Sequence, residues 1–325
     1  MIICRTPMRI SFIGGGSDIP AFYEKFGGTV VSTAIDKFMY IAMKPKFDDR
    51  IRAAYSITEE VDCIDHLQHP LIKAALSEMR VFKGVELSSM ADVPKGTGLG
   101  SSSAFTVCLL HSLHVYSKRP LSSEELAQMA CKIEIDICKS PIGKQDQYAA
   151  AYGGLNQITF HQGGAVSVNP LLVSNKVKKR LARHMMLFYT GISRNSADIL
   201  SHQEKALSRG KTATQLVLKI RELVNPFIEL LSNENFQGIG ELLHESWMLK
   251  KQLTSCTSNA LTDEMYQKAI SSGAWGGKLL GAGGGGFLLL IAPPDKQQEI
   301  CVSLQDFNRL ETDLHEGGSQ LVYLS

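Results

Sequence analysis

Three alternating glycines lead directly into a run of serines in the first half of the chain. Gly96, Gly98 and Gly100 precede the triplet Ser101–Ser103, and the apolar residues that follow predict a helix over 101–116. The first N–H groups of a helix have no partner within it, and glycines let an anion approach the backbone closely. A serine in the first turn either caps the helix or binds Mg²⁺ beside a phosphate. The stretch therefore predicts a phosphate-binding loop, and the alternative is a glycine turn with an ordinary serine cap.

Two other nucleotide-binding motifs do not describe the glycine clusters of this chain. The sequence contains no Gly-x4-Gly-Lys-Ser/Thr, which excludes a Walker A loop, and it lacks the HRD and DFG motifs of protein kinases. Residues 281–286 match Gly-x-Gly-x-x-Gly literally, but they follow a helical pattern and open a strand predicted over 287–291. Because a dinucleotide fingerprint follows a strand and opens a helix, we do not predict a nicotinamide cofactor here.

Acidic residues are the second requirement of phosphate chemistry, because phosphoryl transfer relies on a metal ion and on orientation of the acceptor hydroxyl. Glu134 lies on a helix predicted over 122–138, which begins with the capping-box pattern of Ser122 and Glu125. The glutamate stands one step off the apolar face of this helix, which predicts a place at the rim of a cleft. Asp136 is a weaker candidate on the same helix.

The elements that must position these residues are strands and helices without a regular β-α-β rhythm, which favours an α+β fold. Strand patterns extend over 2–13, 29–44, 48–56, 85–90, 154–160, 165–168, 185–190, 287–291 and 321–324. Helix patterns extend over 70–82, 101–116, 122–138, 195–208, 212–232, 236–250, 261–272 and 296–310. Pro170 and the basic run 176–180 interrupt the pattern, and we expect the longer run 176–183 to be a solvated face. This break predicts one domain over 1–175 and a second over 176–325.

The composition excludes several classes of protein. The 34 Lys and Arg residues nearly balance the 32 Asp and Glu residues, so a net charge of +2 gives no general attraction to nucleic acid or to membrane surfaces. Apolar runs stay well short of the roughly 20 residues of a membrane span, and the N-terminus lacks a signal-peptide pattern. The seven cysteines form no C-x-x-C pair, which argues against a zinc site. We expect a soluble cytoplasmic protein without nucleic-acid or membrane partners, and a homo-oligomer is compatible with the sequence.

Three motifs of this chain resemble those of the GHMP small-molecule kinases. Pro94–Ala104, PKGTGLGSSSA, resembles their phosphate-binding motif P-x-G-x-G-L-G-S-S-A. Arg5–Asp18 resembles their N-terminal motif, and Lys278–Phe287 resembles their C-terminal motif K-x-x-G-A-G-G-G-G. The resemblance implies an ATP-dependent kinase with a two-lobed α+β fold, whose N-terminal lobe is like domain 2 of ribosomal protein S5 and whose C-terminal lobe is ferredoxin-like.

The resemblance also implies roles for individual residues. ATP would bind the loop formed by Pro94, Lys95, Gly96, Thr97, Gly98, Leu99, Gly100, Ser101, Ser102 and Ser103. Mg²⁺ would be bound by Ser102 and by Glu134, which lies about a dozen residues before Asp146. Ser140–Gly154 resembles the G-x-x-D-Q segment of the superfamily, so Asp146 would be the catalytic carboxylate near the acceptor hydroxyl. Arg9 would lie beside Asp146, keep it ionised and stabilise the transferring phosphoryl group.

The sugar-binding segments resemble the D-glycero-D-manno-heptose 7-phosphate kinases, which phosphorylate the anomeric hydroxyl on the way to nucleotide-activated heptose for surface glycans. These segments are RISFIGGGSD, GTVVSTAIDKFMY, GKQDQYAAAYGG and LFYTGISRNSADIL. The implied substrate contacts are Asp18, Gly15, Gly16, Arg194, Gly283 and Gly284. In galactokinases a Glu-His pair stands where this chain has Gly15 and Gly16, which argues against a galactose-type contact.

A phosphorylated sugar needs a cationic pocket. Arg194 is the first candidate for this pocket because it precedes a predicted helix, and Lys144 and Lys278 are alternatives. Fucokinase-like enzymes share the pattern of Arg9 to Asp18 and are the second interpretation. A non-catalytic sugar sensor on the same fold is a third, which Glu134, Ser102, Arg9 and Asp146 argue against.

Overall fold

The computed structural model describes residues 1–193 and 196–325, and its strands form two sheets. In chain order, the strands of these residues are β1 (Ile2–Ile13), β2 (Gly28–Pro45), β3 (Ile51–Ala54), β4 (Thr58–Val61), β5 (Val85–Ala91), β6 (Leu155–Phe160), β7 (Val166–Pro170), β8 (Met185–Tyr189), β9 (Gly276–Leu279), β10 (Phe287–Ile291), β11 (Arg309–Leu310) and β12 (Gln320–Leu324).

The helices of the same residues pack on these sheets. They are α1 (Pro20–Phe26), α2 (Pro70–Glu78), α3 (Ser101–Tyr116), α4 (Ser123–Cys131), α5 (Gln145–Tyr152), α6 (Asn175–His184), α7 (Ser196–Arg209), α8 (Lys211–Glu222), α9 (Val224–Ser232), α10 (Phe236–Lys251), α11 (Ala260–Ser271) and α12 (Gln297–Ser303). A 3₁₀ turn, Ile64–His66, precedes α2, and a π-helical turn, Lys132–Ile137, follows α4. Within the described ranges, every helix is too short or too polar to cross a membrane.

The first sheet has the strand order β12-β1-β2-β5-β3-β4, and β6 pairs with the first part of β2 and forms a hairpin with β7. From Thr6 onward β1 is buried on both faces, because α3 covers one face and helices of the second lobe cover the other. The ladder between β1 and β2 shifts register between Pro7 and Arg9. This shift leaves the Arg9 N–H free to donate to the Leu99 carbonyl, 3.0 Å away, which joins β1 to the glycine loop.

The second sheet is antiparallel, with the order β11-β8-β10-β9. If the four strands β8, β9, β10 and β11 are numbered 1 to 4 along the chain, their order across the sheet is 4-1-3-2. Helices connect the first strand to the second and the third to the fourth. This arrangement is the ferredoxin-like β-α-β-β-α-β pattern, so the expected C-terminal lobe is confirmed together with the α+β class.

The two lobes share one hydrophobic core. Met8 and Phe12 of β1 are fully buried with Phe227 of α9 and Leu289 of β10, and the Phe12 and Phe227 rings lie 5.2 Å apart. The final strand, β12, pairs with β1 of the first sheet. The predicted domain over 176–325 is therefore wrong for its last residues, because they belong to the sheet of the first lobe.

Several predicted elements have different bounds in the structure. The helix predicted over 212–232 is two helices, α8 and α9, because Pro226 lacks the N–H and its ring disfavours a continuous helix. The helix predicted over 296–310 ends at Ser303, and the chain then forms β11. The run 176–183 lies in α6, whose Val177 and Leu181 are buried one turn apart, so only part of this segment is a solvated face.

Candidate active site

The two lobes enclose a cavity of about 330 Å³ that most of the predicted site residues line. Those that line it are Arg9, Gly15, Gly16, Asp18, Gly96, Gly98, Gly100, Ser101, Ser102, Ser103 and Asp146. They come from β1, the segment between β1 and α1, the glycine loop, α3 and α5, several of which are distant in sequence. The cavity also receives residues of the second lobe, including Lys250, Lys278 and Gly281.

Left-handed glycines shape the loop that leads into α3. Gly96, Gly98 and Gly100 have φ angles of 75°, 82° and 72°, a region that favours glycine. Gly100 is the N-cap of α3, and it offers no side-chain cap to the first N–H groups of that helix. A Cβ on Gly98 would lie 2.5 Å from the Leu280 carbonyl oxygen, so the glycine lets the loop cross the C-terminal glycine segment in direct backbone contact. The helix terminus therefore faces the cavity with its N–H groups available for an anion.

The remaining loop residues hold the loop in place and do not line the cavity. The Thr97 hydroxyl donates to the Pro94 carbonyl at 2.9 Å, and the Thr97 carbonyl accepts from the Phe287 N–H at 3.0 Å. Leu99 is fully buried in the core shared by the lobes. The Lys95 carbonyl accepts from the Ser193 hydroxyl at 2.8 Å, and its ammonium is not part of the cavity wall.

Arg9 and Asp146 form a bidentate ion pair at the cavity wall. Arg9 Nε and Nη2 each donate to one oxygen of the Asp146 carboxylate, both at 2.8 Å. Arg9 Nη1 donates to the Gly98 carbonyl at 2.6 Å. The arginine side chain is 5% exposed and that of Asp146 is 30% exposed, so the carboxylate retains access to the cavity. The guanidinium thus connects the carboxylate rigidly to the glycine loop.

Asp18 presents a second carboxylate to the cavity. Its Oδ1 accepts from the Gly16 N–H at 3.0 Å, and any Cβ on Gly143 would collide with the carboxylate. Desolvation, together with the negative charge of Asp146, raises the pKa of Asp18. A carboxylate in this position can accept hydrogen bonds from the hydroxyl groups of a polar ligand.

Glu134 is buried between α3 and α5, and its predicted position at the rim of the cleft is wrong. The side chain is 1% exposed and does not line the cavity. Its carboxylate accepts from the Ser103 hydroxyl at 2.8 Å, from the Thr106 hydroxyl and from Gln147 Nε2 at 2.6 Å. Burial raises the pKa of Glu134 to about 7. The π-helical turn explains the difference, because its wider spacing rotates Glu134 away from the position that a regular helix predicts.

The residues predicted to form a cationic pocket differ in whether they reach the cavity. Lys144 donates to the Gly164 carbonyl at 2.7 Å and lies over the Tyr23 ring, outside the cavity. Asp136 is exposed near Lys144, also outside the cavity. Arg194 lies outside the described residues. Lys278 is 4% exposed, lines the cavity and donates to the Phe12 carbonyl at 2.9 Å.

The glycine segment at 281–286 reaches the cavity with other residues than the predicted ones. Gly283 and Gly284 are buried against the loop before α11, where Gly284 N–H donates to the Thr257 carbonyl at 2.8 Å and its carbonyl accepts from Asn259 Nδ2 at 3.0 Å. They do not line the cavity, and the substrate contacts at these positions stay a prediction. Gly281 and Ala282 line it instead, because the chain turns into the cavity two residues earlier.

Sequence reasoning did not identify Lys250, which lines the cavity from the end of α10. Its ammonium donates to the Gly281 carbonyl. Burial and the positive charge of Arg9 lower the pKa of Lys250 to about 8. A signal was present, because Leu243, Ser246 and Trp247 form the buried face of α10 and Lys250 continues that face at helical spacing. A lysine on the apolar stripe of a helix is a candidate for a functional cation.

The chain matches known proteins along most of its length. Residues 65–154 match the model of the GHMP kinases N terminal domain and residues 227–310 match that of the GHMP kinases C terminal domain, which together cover just over half of the chain. The chain is 29% identical over 294 residues to a D-glycero-alpha-D-manno-heptose 7-phosphate kinase of Campylobacter jejuni, covering 86% of each protein. A bifunctional fucokinase/GDP-fucose pyrophosphorylase of Arabidopsis thaliana is 25% identical over 85% of this chain and 28% of its own length.

A solved structure agrees with these sequence matches. The crystal structure of a D-glycero-D-manno-heptose 1-phosphate kinase from Bacteroides thetaiotaomicron has a TM-score of 0.84 against this chain, at 25% sequence identity. The similarity covers 100% of both chains. Both lobes and the cleft between them therefore occur together in that structure.

Proposed function

The chain belongs to the GHMP kinase family, and its similarity to heptose kinases makes it a sugar kinase that uses ATP. We propose that its acceptor is the anomeric hydroxyl of D-glycero-D-manno-heptose 7-phosphate. The observation that carries the proposal is the bidentate Arg9–Asp146 pair, which Arg9 ties to the glycine loop in the same cavity as Asp18. Two relatives named as heptose phosphate kinases support the sugar class, and their names place the phosphate at different positions.

The glycine loop fits the phosphates of ATP. The φ angles of Gly96, Gly98 and Gly100 keep the backbone open to a close approach, and the first N–H groups of α3 have no side-chain cap. When bound, ATP supplies the γ-phosphoryl group. The chain would hold its phosphates with the backbone of the loop and with the hydroxyls of Ser101 and Ser102, which line the cavity.

The oxygen donors near the loop fit Mg²⁺, which prefers hydroxyl and carboxylate ligands. Ser102 has an exposed side chain at the start of α3, and the adjacent Ser103 donates to Glu134. Glu134 is a buried carboxylate whose hydrogen-bond partners among the described residues are all neutral groups, an arrangement that a cation would stabilise. Ser102 at the cavity wall would therefore hold the ion, together with Glu134 once its carboxylate exchanges the hydrogen bond from Ser103 for the ion, which would neutralise phosphate charge.

The residues of the chain then have distinct tasks. Asp146 accepts a hydrogen bond from the acceptor hydroxyl and orients its oxygen for attack, and it can take up the proton as the new bond forms. Arg9 keeps that carboxylate in place and offers positive charge to the transferring group. Asp18 accepts hydrogen bonds from other sugar hydroxyls and so sets the position of the sugar ring.

Glu134→Gln is expected to raise the Mg²⁺ concentration that gives half-maximal activity by at least about tenfold, because a neutral amide binds the ion more weakly than a carboxylate. Ser102→Ala should act in the same direction. Asp136→Asn is the control, since this exposed residue lies on the same helical turn. Magnesium titrations at saturating ATP and sugar measure the effect, and unchanged titration curves for both variants would contradict the assignment.

The acceptor is tested with a coupled assay for ADP release over a panel of sugars. The panel contains heptose 7-phosphate, heptose 1-phosphate, unphosphorylated heptose, mannose, fucose and galactose. We expect the highest kcat/KM for heptose 7-phosphate and, by phosphorus NMR, a product with a new phosphate on the anomeric oxygen. Activity on free fucose without activity on heptose 7-phosphate would favour the second candidate, which the similarity to fucokinases suggests.

We place the reaction in the cytoplasm, where ATP is available.

A further inference from the structure

Two lysines of the second lobe line the cavity together with Asp18. Lys250 is on α10 and Lys278 is on β9. Each ammonium has three N–H groups but one protein acceptor in the described part of the chain, the Gly281 carbonyl for Lys250 and the Phe12 carbonyl for Lys278. Neither takes part in an ion pair among the residues described. The cavity therefore receives two positive charges with unused hydrogen-bond donors.

Such a pair is unfavourable without an anion. Burying a cation costs free energy unless an opposite charge or several hydrogen bonds compensate for the lost water. Burial lowers the pKa of both lysines, and the charge of Arg9 lowers each further. Asp146 is already paired with Arg9, so its carboxylate is not free to compensate the lysines. Asp18 raises the pKa of both lysines, but it is one carboxylate for two ammonium groups. A phosphate monoester, with two negative charges and three acceptor oxygens, matches what the pair lacks.

The surroundings of the lysines indicate which phosphate this is. The phosphates of ATP have their own site at the glycine loop and the start of α3. Lys278 donates to the Phe12 carbonyl, at the end of β1 that leads into the segment with Gly15, Gly16 and Asp18. Arg9 and Asp18 are the charged groups that act on both lysines, and Asp18 is assigned above to the sugar. The lysines thus lie at the acceptor side of the cavity.

We propose that Lys250 and Lys278 bind the phosphate group that the acceptor sugar already carries, and that they select a sugar phosphate over a free sugar. This inference rests on the proposed kinase function and adds the residues that determine its specificity. Lys278 is fixed by its bond to β1 and would define the position of the phosphate. Lys250, which is only partly buried, would close on it from the end of α10.

Binding of the sugar phosphate is expected to weaken above pH 8. The pKa of Lys250 is about 8, so its charge is complete below that pH and is lost as the pH rises through it. The dissociation constant should then increase by up to about tenfold per pH unit, whereas a phosphate monoester, with its second pKa near 6, stays dianionic. The charged groups that face Lys250 are Arg9, Lys278, Asp18 and Asp146. Lys250→Arg keeps a charge that does not titrate and should remove this decline, and a decline that persists in this variant would assign it to another group.

The decisive experiment measures binding without turnover. Isothermal titration calorimetry, without ATP, compares heptose 7-phosphate with unphosphorylated heptose for Lys250→Met, Lys278→Met and the control Lys251→Met. Lys251 is the next residue of α10 and pairs with Asp263 on the surface. Since a hydrogen bond to a charged group contributes about 1.5–3 kcal/mol, each cavity variant should raise the dissociation constant for the phosphorylated sugar by about 10- to 100-fold. Binding of the free sugar should change little.

Two results would overturn the inference. Equal weakening for the phosphorylated and free sugars would mean that the lysines do not recognise the phosphate. Weaker binding of a non-hydrolysable ATP analogue, with sugar phosphate binding intact, would assign them to the donor.

Because these titrations need no catalysis, a failure of the panel assay on heptose 7-phosphate would leave them interpretable. Inorganic phosphate, tested in the same way, serves as a probe of the lysine pair if another sugar phosphate is the acceptor. Retained folding of both variants is checked by their melting temperatures.

Discussion

Asp146→Asn is expected to lower kcat for sugar phosphorylation by about 10²- to 10⁴-fold, the usual contribution of a positioned general base. The amide has nearly the same shape, but it cannot take up a proton. It also presents an N–H group to one of the two Arg9 donors that now bind the carboxylate at 2.8 Å. The effect should appear in kcat, whereas the affinity for ATP should be retained, because Asp146 does not belong to the glycine loop.

The control for this experiment is Asp263→Asn. Asp263 also lies in the first turn of a helix and pairs with a cation, but it does so on the surface, 3.2 Å from Lys251. Single-turnover kinetics separate the chemical step from binding and product release. Near-normal turnover of the Asp146 variant would show that the carboxylate has no role in the chemical step.

Gly98→Ala is expected to lower kcat/KM for ATP by about 10²-fold or more, the size of effect that a misplacement of about 1 Å produces in an active site. Two physical reasons act together. The φ of 82° is unfavourable for alanine, and the new Cβ would lie 2.5 Å from the Leu280 carbonyl oxygen. The two glycine loops would have to separate, and Gly98 would lose its hydrogen bond from Arg9.

Gly163→Ala is the matched control for the glycine variant. Gly163 has a similar φ of 84°, but a Cβ there would meet nothing within 4 Å. This control therefore measures the backbone strain alone, which for one residue outside its preferred region is about 1–3 kcal/mol. Melting temperatures and ATP kinetics of both variants separate strain from collision. Equal effects on ATP kinetics would mean that contact between the loops is unimportant.

Local features of the fold were predictable from the sequence. Helix α3 has the predicted bounds because a glycine N-cap and an unbroken apolar stretch are local signals. The capping box of Ser122 and Glu125 is also present as predicted. Features that depend on distant contacts were not predictable. The strand β9 contains Gly276 and Gly277, which have low strand propensity, and it forms because β10 pairs with it and buries it completely.

The features of the site also fall into those set locally and those set by distant contacts. The sequence by itself determined the glycine loop and the helix start that follows it, since both lie within about ten residues of chain and their geometry is set by backbone sterics. Only the tertiary structure decided which charges share the cavity. Lys250 and Lys278 meet Arg9 and Asp18 across more than 200 residues of sequence, and no periodicity encodes that approach. It follows from the core common to both lobes, whose packing places α10 and β9 against β1.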